Sequence, residues 1–138
     1  MKIVQIGTGG WGKNHTRILS ELGVLVAICD ANLEKSKEYG EKYSVNYYQS
    51  VDELLKLEEF DGAFVVTPTS THTEIAMKLL ESKKHVFVEK PMTYKSEDGE
   101  KLAKSSCSCL IFPARAKTTW GISSNNQLAV SISWTDVS

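Results

Sequence analysis

Over its first hundred positions the chain alternates between short, largely apolar runs and longer stretches in which apolar residues recur every three or four positions. The runs at 3–6, 24–29, 62–66 and 85–88 have the length of strands covered on both faces, and 45–48 is a shorter candidate. Between them, residues 14–22 carry Ile18, Leu19 and Leu22 at helical spacing before Gly23, and residues 31–43 form a second helical stretch. Ser50, with Glu53 three positions on, makes a capping box for a third helix, and 72–80 presents Ile75, Ala76, Leu79 and Leu80 on one face. Strands alternating with helices in this way assemble into a parallel sheet. The expected class is α/β, a doubly wound parallel sheet forming a single domain over residues 1–104.

The pattern changes from Ser105. Residues 105–138 contain one acidic side chain, Asp136, after a stretch rich in them. Residues 109–112 suit the place of a sixth strand, ended by Pro113. Leu128, Val130, Ile132 and Trp134 alternate with smaller or polar residues, which predicts a half-buried strand over 127–134. That strand would add at a sheet edge or pair with another subunit, making a homo-oligomer through the tail.

The first strand runs directly into Gly7-Thr8-Gly9-Gly10-Trp11-Gly12, a G-x-G-x-x-G pattern. Gly7 permits a tight reversal, and Gly9 lets a diphosphate approach the backbone. Gly12 allows the following helix to pack closely and to aim its unpaired N–H groups at an anion. Trp11 either covers the neighbouring cleft or packs on the first helix. Asp30 ends the second strand, 18 positions after Gly12, near the spacing at which a carboxylate accepts hydrogen bonds from an adenosine ribose. Its charge repels a 2′-phosphate, and no basic residue follows before Lys35, so NAD is expected over NADP. The alternative is that Asp30 caps the next helix.

Thr67-Pro68-Thr69 follows the fourth strand at the sheet edge where open α/β sheets place ligands. His72 suits either a cap or a site wall. The fifth strand delivers Glu89-Lys90-Pro91 to the same edge. Pro91 restricts Lys90 to extended backbone, and the bond between them is a candidate for the cis isomer. The bland alternative is an exposed turn lysine.

Composition narrows the function classes. With 138 residues and a formal net charge of −1, the chain has room for one ordinary domain and no electrostatic footprint for nucleic acid or anionic membrane. No apolar run has the length of a membrane span and no signal peptide pattern is present, so a cytoplasmic protein is expected. Three cysteines fit a reducing compartment, none read as catalytic. Cys107 and Cys109 lack the companions of a closed zinc site, so no metal is assigned.

The ordered set of glycine loop, Asp30, Thr67-Pro68 with His72, and Glu89-Lys90-Pro91 resembles the glucose-fructose oxidoreductase and inositol dehydrogenase (Gfo/Idh/MocA) family over residues 1–104. The resemblance implies a Rossmann-type NAD(P)-binding domain of a dehydrogenase that moves hydride between NAD and a hydroxyl of a sugar, cyclitol or nucleotide sugar. It implies a cofactor site of Gly7, Thr8, Gly9, Gly10, Trp11, Gly12, Asp30, Thr67, Pro68, Thr69, His72, Glu89 and Lys90, with Lys90 as the catalytic lysine. The resemblance implies that family members continue into a large second domain that holds the substrate and supplies further acid–base residues, and this chain is expected to lack it. All three histidines lie in the nucleotide-binding half. The expectation is a domain incomplete for turnover alone, from a truncated or frameshifted gene. A catalytically silent NAD-binding module and an inert product remain the alternatives.

Overall fold

The computed structural model describes residues 1–105 in full and, beyond them, the backbone of three further strands. In chain order the elements are β1 (Ile3–Ile6), α1 (Gly12–Glu21), β2 (Leu25–Cys29), α2 (Leu33–Tyr43), β3 (Asn46–Tyr48), α3 (Val51–Leu57), β4 (Gly62–Val65), α4 (Thr69–Glu81), β5 (His85–Val88), α5 (Ser96–Ser105), β6 (Ile111–Pro113), β7 (Thr118–Ile122) and β8 (Leu128–Ile132). The first six strands form one parallel sheet in the order β3-β2-β1-β4-β5-β6, the expected doubly wound class.

The apolar runs are central strands because both of their faces are covered. Val4, Ile6, Ala27, Val65, Val86 and Val88 join Leu54, Leu79, Leu80 and Leu102 in one core. Ile3 and Ile28 join Leu19 and Leu25 in a second, backed by Tyr39 and Tyr43. At roughly 1.5–3 kcal/mol for each fully buried aliphatic side chain, these two layers dominate what holds the sheet together.

Sequence expectations differ in detail at several points, among them the helix expected at 72–80, which runs from Thr69 to Glu81. The helix at 14–22 starts earlier, at Gly12, and buries Gly12, Thr16 and Leu19, whereas Ile18 and Leu22 are exposed. Small residues face inward because α1 lies close to the sheet, with the Thr16 hydroxyl donating back to Gly12 O at 2.8 Å. The second helix starts at Leu33 rather than 31, because the Asn32 side chain accepts from Glu34 N and Lys35 N. The expected strand at 127–134 is β8, which pairs antiparallel with β7 in a separate two-stranded sheet instead of extending the main one. Ile111–Pro113 does take the sixth position, parallel to β5. Cys107 and Cys109 lie outside the described residues.

Candidate cofactor-binding site

Register gathers the site. Cys29 pairs with Ile6, Ile6 with Val65, and Val65 with Val88, so four adjacent strands end level. The next residues, Asp30, Gly7, Val66 and Glu89, therefore emerge side by side at the carboxyl edge. Backbone bonds continue the ladder by one step, from Gly7 N to Cys29 O, Val66 N to Ile6 O and Glu89 N to Val65 O, at 2.8–2.9 Å. β1 stands at the centre, with Asp30 on one side and Glu89-Lys90 on the other, across the reversal of strand order.

The glycines divide into two kinds. Gly7 has φ of 91°, a left-handed conformation, and a Cβ there would lie 2.5 Å from Val66 O. A Cβ on Gly12 would lie 2.2 Å from Gly7 O. The fully buried Gln5 braces the same carbonyl, donating from Nε2 to Gly7 O at 2.8 Å. Gly9 and Gly10, in contrast, have open space around them, with nothing within 4 Å of an added Cβ. The chain's own packing requires Gly7 and Gly12, and it leaves a bare backbone cradle at Gly9 and Gly10 that suits a diphosphate ahead of α1.

Asp30 fastens this turn. Its Oδ2 accepts from both Thr8 N at 2.8 Å and Thr8 Oγ1 at 2.7 Å, and its Oδ1 accepts from Asn32 N at 2.9 Å. Burial alone would raise the carboxyl, but the Thr8 hydroxyl and amide, the Asn32 amide and the charge of Lys35 hold it below the ordinary carboxylate value. Asp30 is thus a carboxylate facing the cleft, and the helix cap belongs to Asn32. The neighbouring Cys29 thiol is pushed up to about 12 by burial and by the Asp30 and Glu53 charges, which keeps it protonated and inert.

On the opposite side, the Lys90–Pro91 bond is cis, and Lys90 is exposed at the cleft. Thr71 Oγ1 lies 2.8 Å from both Thr67 Oγ1 and Pro68 O, tying the β4–α4 loop to its helix. His72 neither caps α4 nor forms its outer wall. It is buried in the first turn, with Nε2 2.7 Å from Thr67 O and Nδ1 3.0 Å from Pro91 O and 3.3 Å from Met92 O.

Of the residues expected from sequence, Gly7, Gly9, Gly10, Trp11, Asp30, Thr67, Pro68, Glu89 and Lys90 line one cleft of about 800 Å³, whose wall also includes Lys35, Gln49 and Ile75. Thr8, Gly12, Thr69 and His72 are not among its lining residues. Thr8 and Gly12 are buried behind the turn, and Thr69 begins α4. Trp11 is largely exposed, beside the cleft rather than packed under it.

Sequence reasoning passed over His15. It sits one helical turn after Trp11, its ring lies against Phe64 and Phe87, and its Nε2 is 3.5 Å from Glu89 Oε2. The i, i+4 spacing from Trp11 was the available signal.

Residues 1–107 match the model of the Gfo/Idh/MocA group, described as an oxidoreductase family with an NAD-binding Rossmann fold. The UDP-N-acetylglucosamine 3-dehydrogenase of Acidithiobacillus ferrooxidans is 32% identical over 102 residues, 74% of this chain and 32% of that protein. The myo-inositol 2-dehydrogenase of Thermotoga maritima is 31% identical over 109 residues, covering 77% and 33%. The WlbA dehydrogenase from Bordetella pertussis, solved in complex with NADH and UDP-GlcNAcA, superposes with a TM-score of 0.72 at 28% identity over 76% of this chain and 32% of that one. The chain thus spans about a third of the length of the curated relatives it matches. Among the described residues no helix is long and apolar enough to cross a membrane. With the level strand ends, the glycine turn and the sequence match all agreeing, the chain belongs to the Gfo/Idh/MocA oxidoreductase family and carries its NAD-binding Rossmann fold.

Proposed function

We propose that this chain holds NAD across the β1 turn for hydride exchange with a hydroxyl of a sugar-type substrate. The observation that carries the reading is that Asp30 and Lys90 line one cleft from opposite sides of a glycine turn whose open positions are fold-neutral. The amides around Gly9 and Gly10, at the start of α1, would hold the diphosphate. Asp30 would receive the adenosine ribose and disfavour a 2′-phosphate. Thr67, Pro68 and Glu89 would wall the far half of the cleft.

When bound, NAD supplies the hydride acceptor. Lys90 lines the cleft beside Glu89, and its Nζ would donate to the reacting oxygen and stabilise the negative charge that develops there as hydride leaves. His15 backs Glu89 and keeps that carboxylate at the cleft wall. The substrate class follows the relatives, which include dehydrogenases of a UDP-sugar and of an inositol. The same reading places the protein in the cytoplasm, and we extend it to self-association through Leu128–Ile132, which light scattering would check.

Titration with NADH and NADPH tests the reading. Saturable NADH binding, weaker binding of NADPH, and loss of both in Gly9→Val are the expected results. Lys90→Met should retain NADH affinity within about threefold, since its side chain is one wall contact among many. Absence of NADH binding to the wild-type chain would refute the assignment.

A further inference from the structure

We infer that His72 is a positioning residue that sets the spacing between the two walls of the nicotinamide half of the cleft. The inference rests on the cofactor reading above and deepens it, because His72 lies behind the cleft rather than in it.

β4 and β5 are held together by their ladder as far as Val65 and Val88, with one further backbone bond from Glu89 N to Val65 O. Past that point the two segments separate. One becomes Thr67-Pro68 and enters α4, and the other becomes Lys90-Pro91-Met92. Among the described residues, the hydrogen bonds that join them there are those of His72, from Nε2 to Thr67 O and from Nδ1 to Pro91 O or Met92 O.

An imidazole suits this task. Its ring is planar and rigid, so two carbonyls on its opposite nitrogens are held at a set separation. Its only flexible torsions lie in a side chain 1% exposed and anchored in the first turn of a 13-residue helix. Carbonyl oxygens only accept, so a tie to both loops at once draws on an N–H at each ring nitrogen, as the imidazolium form carries. A residue at this depth with no contact to the ligand thus spans two loops whose neighbours, Thr67, Pro68, Glu89 and Lys90, all line the cleft. Asp30 lies on the far side of β1, so the adenosine half does not depend on this tie.

Binding of NADH and of ADP-ribose, which lacks the nicotinamide ring, separates this role from a structural one. The readout is the ratio of the two affinities, measured with thermal unfolding for each variant. In His72→Leu the ratio should fall by about tenfold, the equivalent of one hydrogen bond, while ADP-ribose affinity stays within about twofold. His72→Asn keeps a donor toward Pro91 and His72→Gln keeps one toward Thr67, so each should show a smaller fall, and these two carry the test if the leucine variant does not fold. An unchanged ratio in all folded variants, or equal loss of both ligands, overturns the inference. Failure of wild type to bind either ligand overturns the cofactor reading itself, and the inference with it.

Discussion

Gly9 and Gly12 look alike in the sequence and differ in cause. Gly12 has no room for a methyl group, since its Cβ would meet a backbone carbonyl at 2.2 Å, whereas Gly9 has room and a φ outside the left-handed region. Gly12→Ala should therefore destabilise the fold by about 3 kcal/mol, the upper end of the range for overpacking. Gly9→Ala should leave stability unchanged or raise it by up to about 1 kcal/mol, through the less flexible unfolded chain. Its NADH affinity should nevertheless fall by about 100-fold, as expected for the loss of two charge-assisted hydrogen bonds. Urea denaturation and NADH titration of the two variants check the pair, and a stable Gly9→Ala that binds normally would refute the diphosphate assignment.

At the scale of elements, the sequence was most legible where covalent geometry leaves one solution. Four short apolar runs became central strands, and Ser50 accepts from Glu53 N at 3.2 Å as the serine half of the expected box. It was least legible where partners are distant. Which face of α1 turns inward depends on how close α1 lies to the sheet, so Ile18 and Leu22 misled while Thr16 gave no apolar signal. The role of His72 depends on Pro91, 19 positions away, and no periodicity encodes that. Likewise the partner of β8 is set by β7, whose Thr118-Thr119-Trp120-Gly121-Ile122 has no sustained alternation. The start of α2 is a matter of one side chain. Asn32→Ala should cost about 1 kcal/mol in chemical denaturation, while Asp30, which caps nothing in α2, leaves that cost unrelieved.

For the molecule as a whole, Asp30 couples the end of β2 to the turn after β1, and its titration should appear in global stability. Its carboxyl is held below the ordinary value in the folded state. The carboxylate therefore stabilises the fold fully above the usual carboxylate range, and that contribution is lost as pH falls through the depressed folded value. Asp30→Asn should lower the melting temperature at neutral pH, with the two curves converging in acid. A constant offset at every pH would contradict the linkage. The same bonds bear on redesign. An engineer wishing to admit a phosphorylated ribose would begin by deleting the Asp30 charge, yet that carboxylate also takes both donors of Thr8. Ligand preference and the shape of the loop are written into one side chain, so a change of cofactor here needs a new fastening for the turn as well as a new welcome for the phosphate.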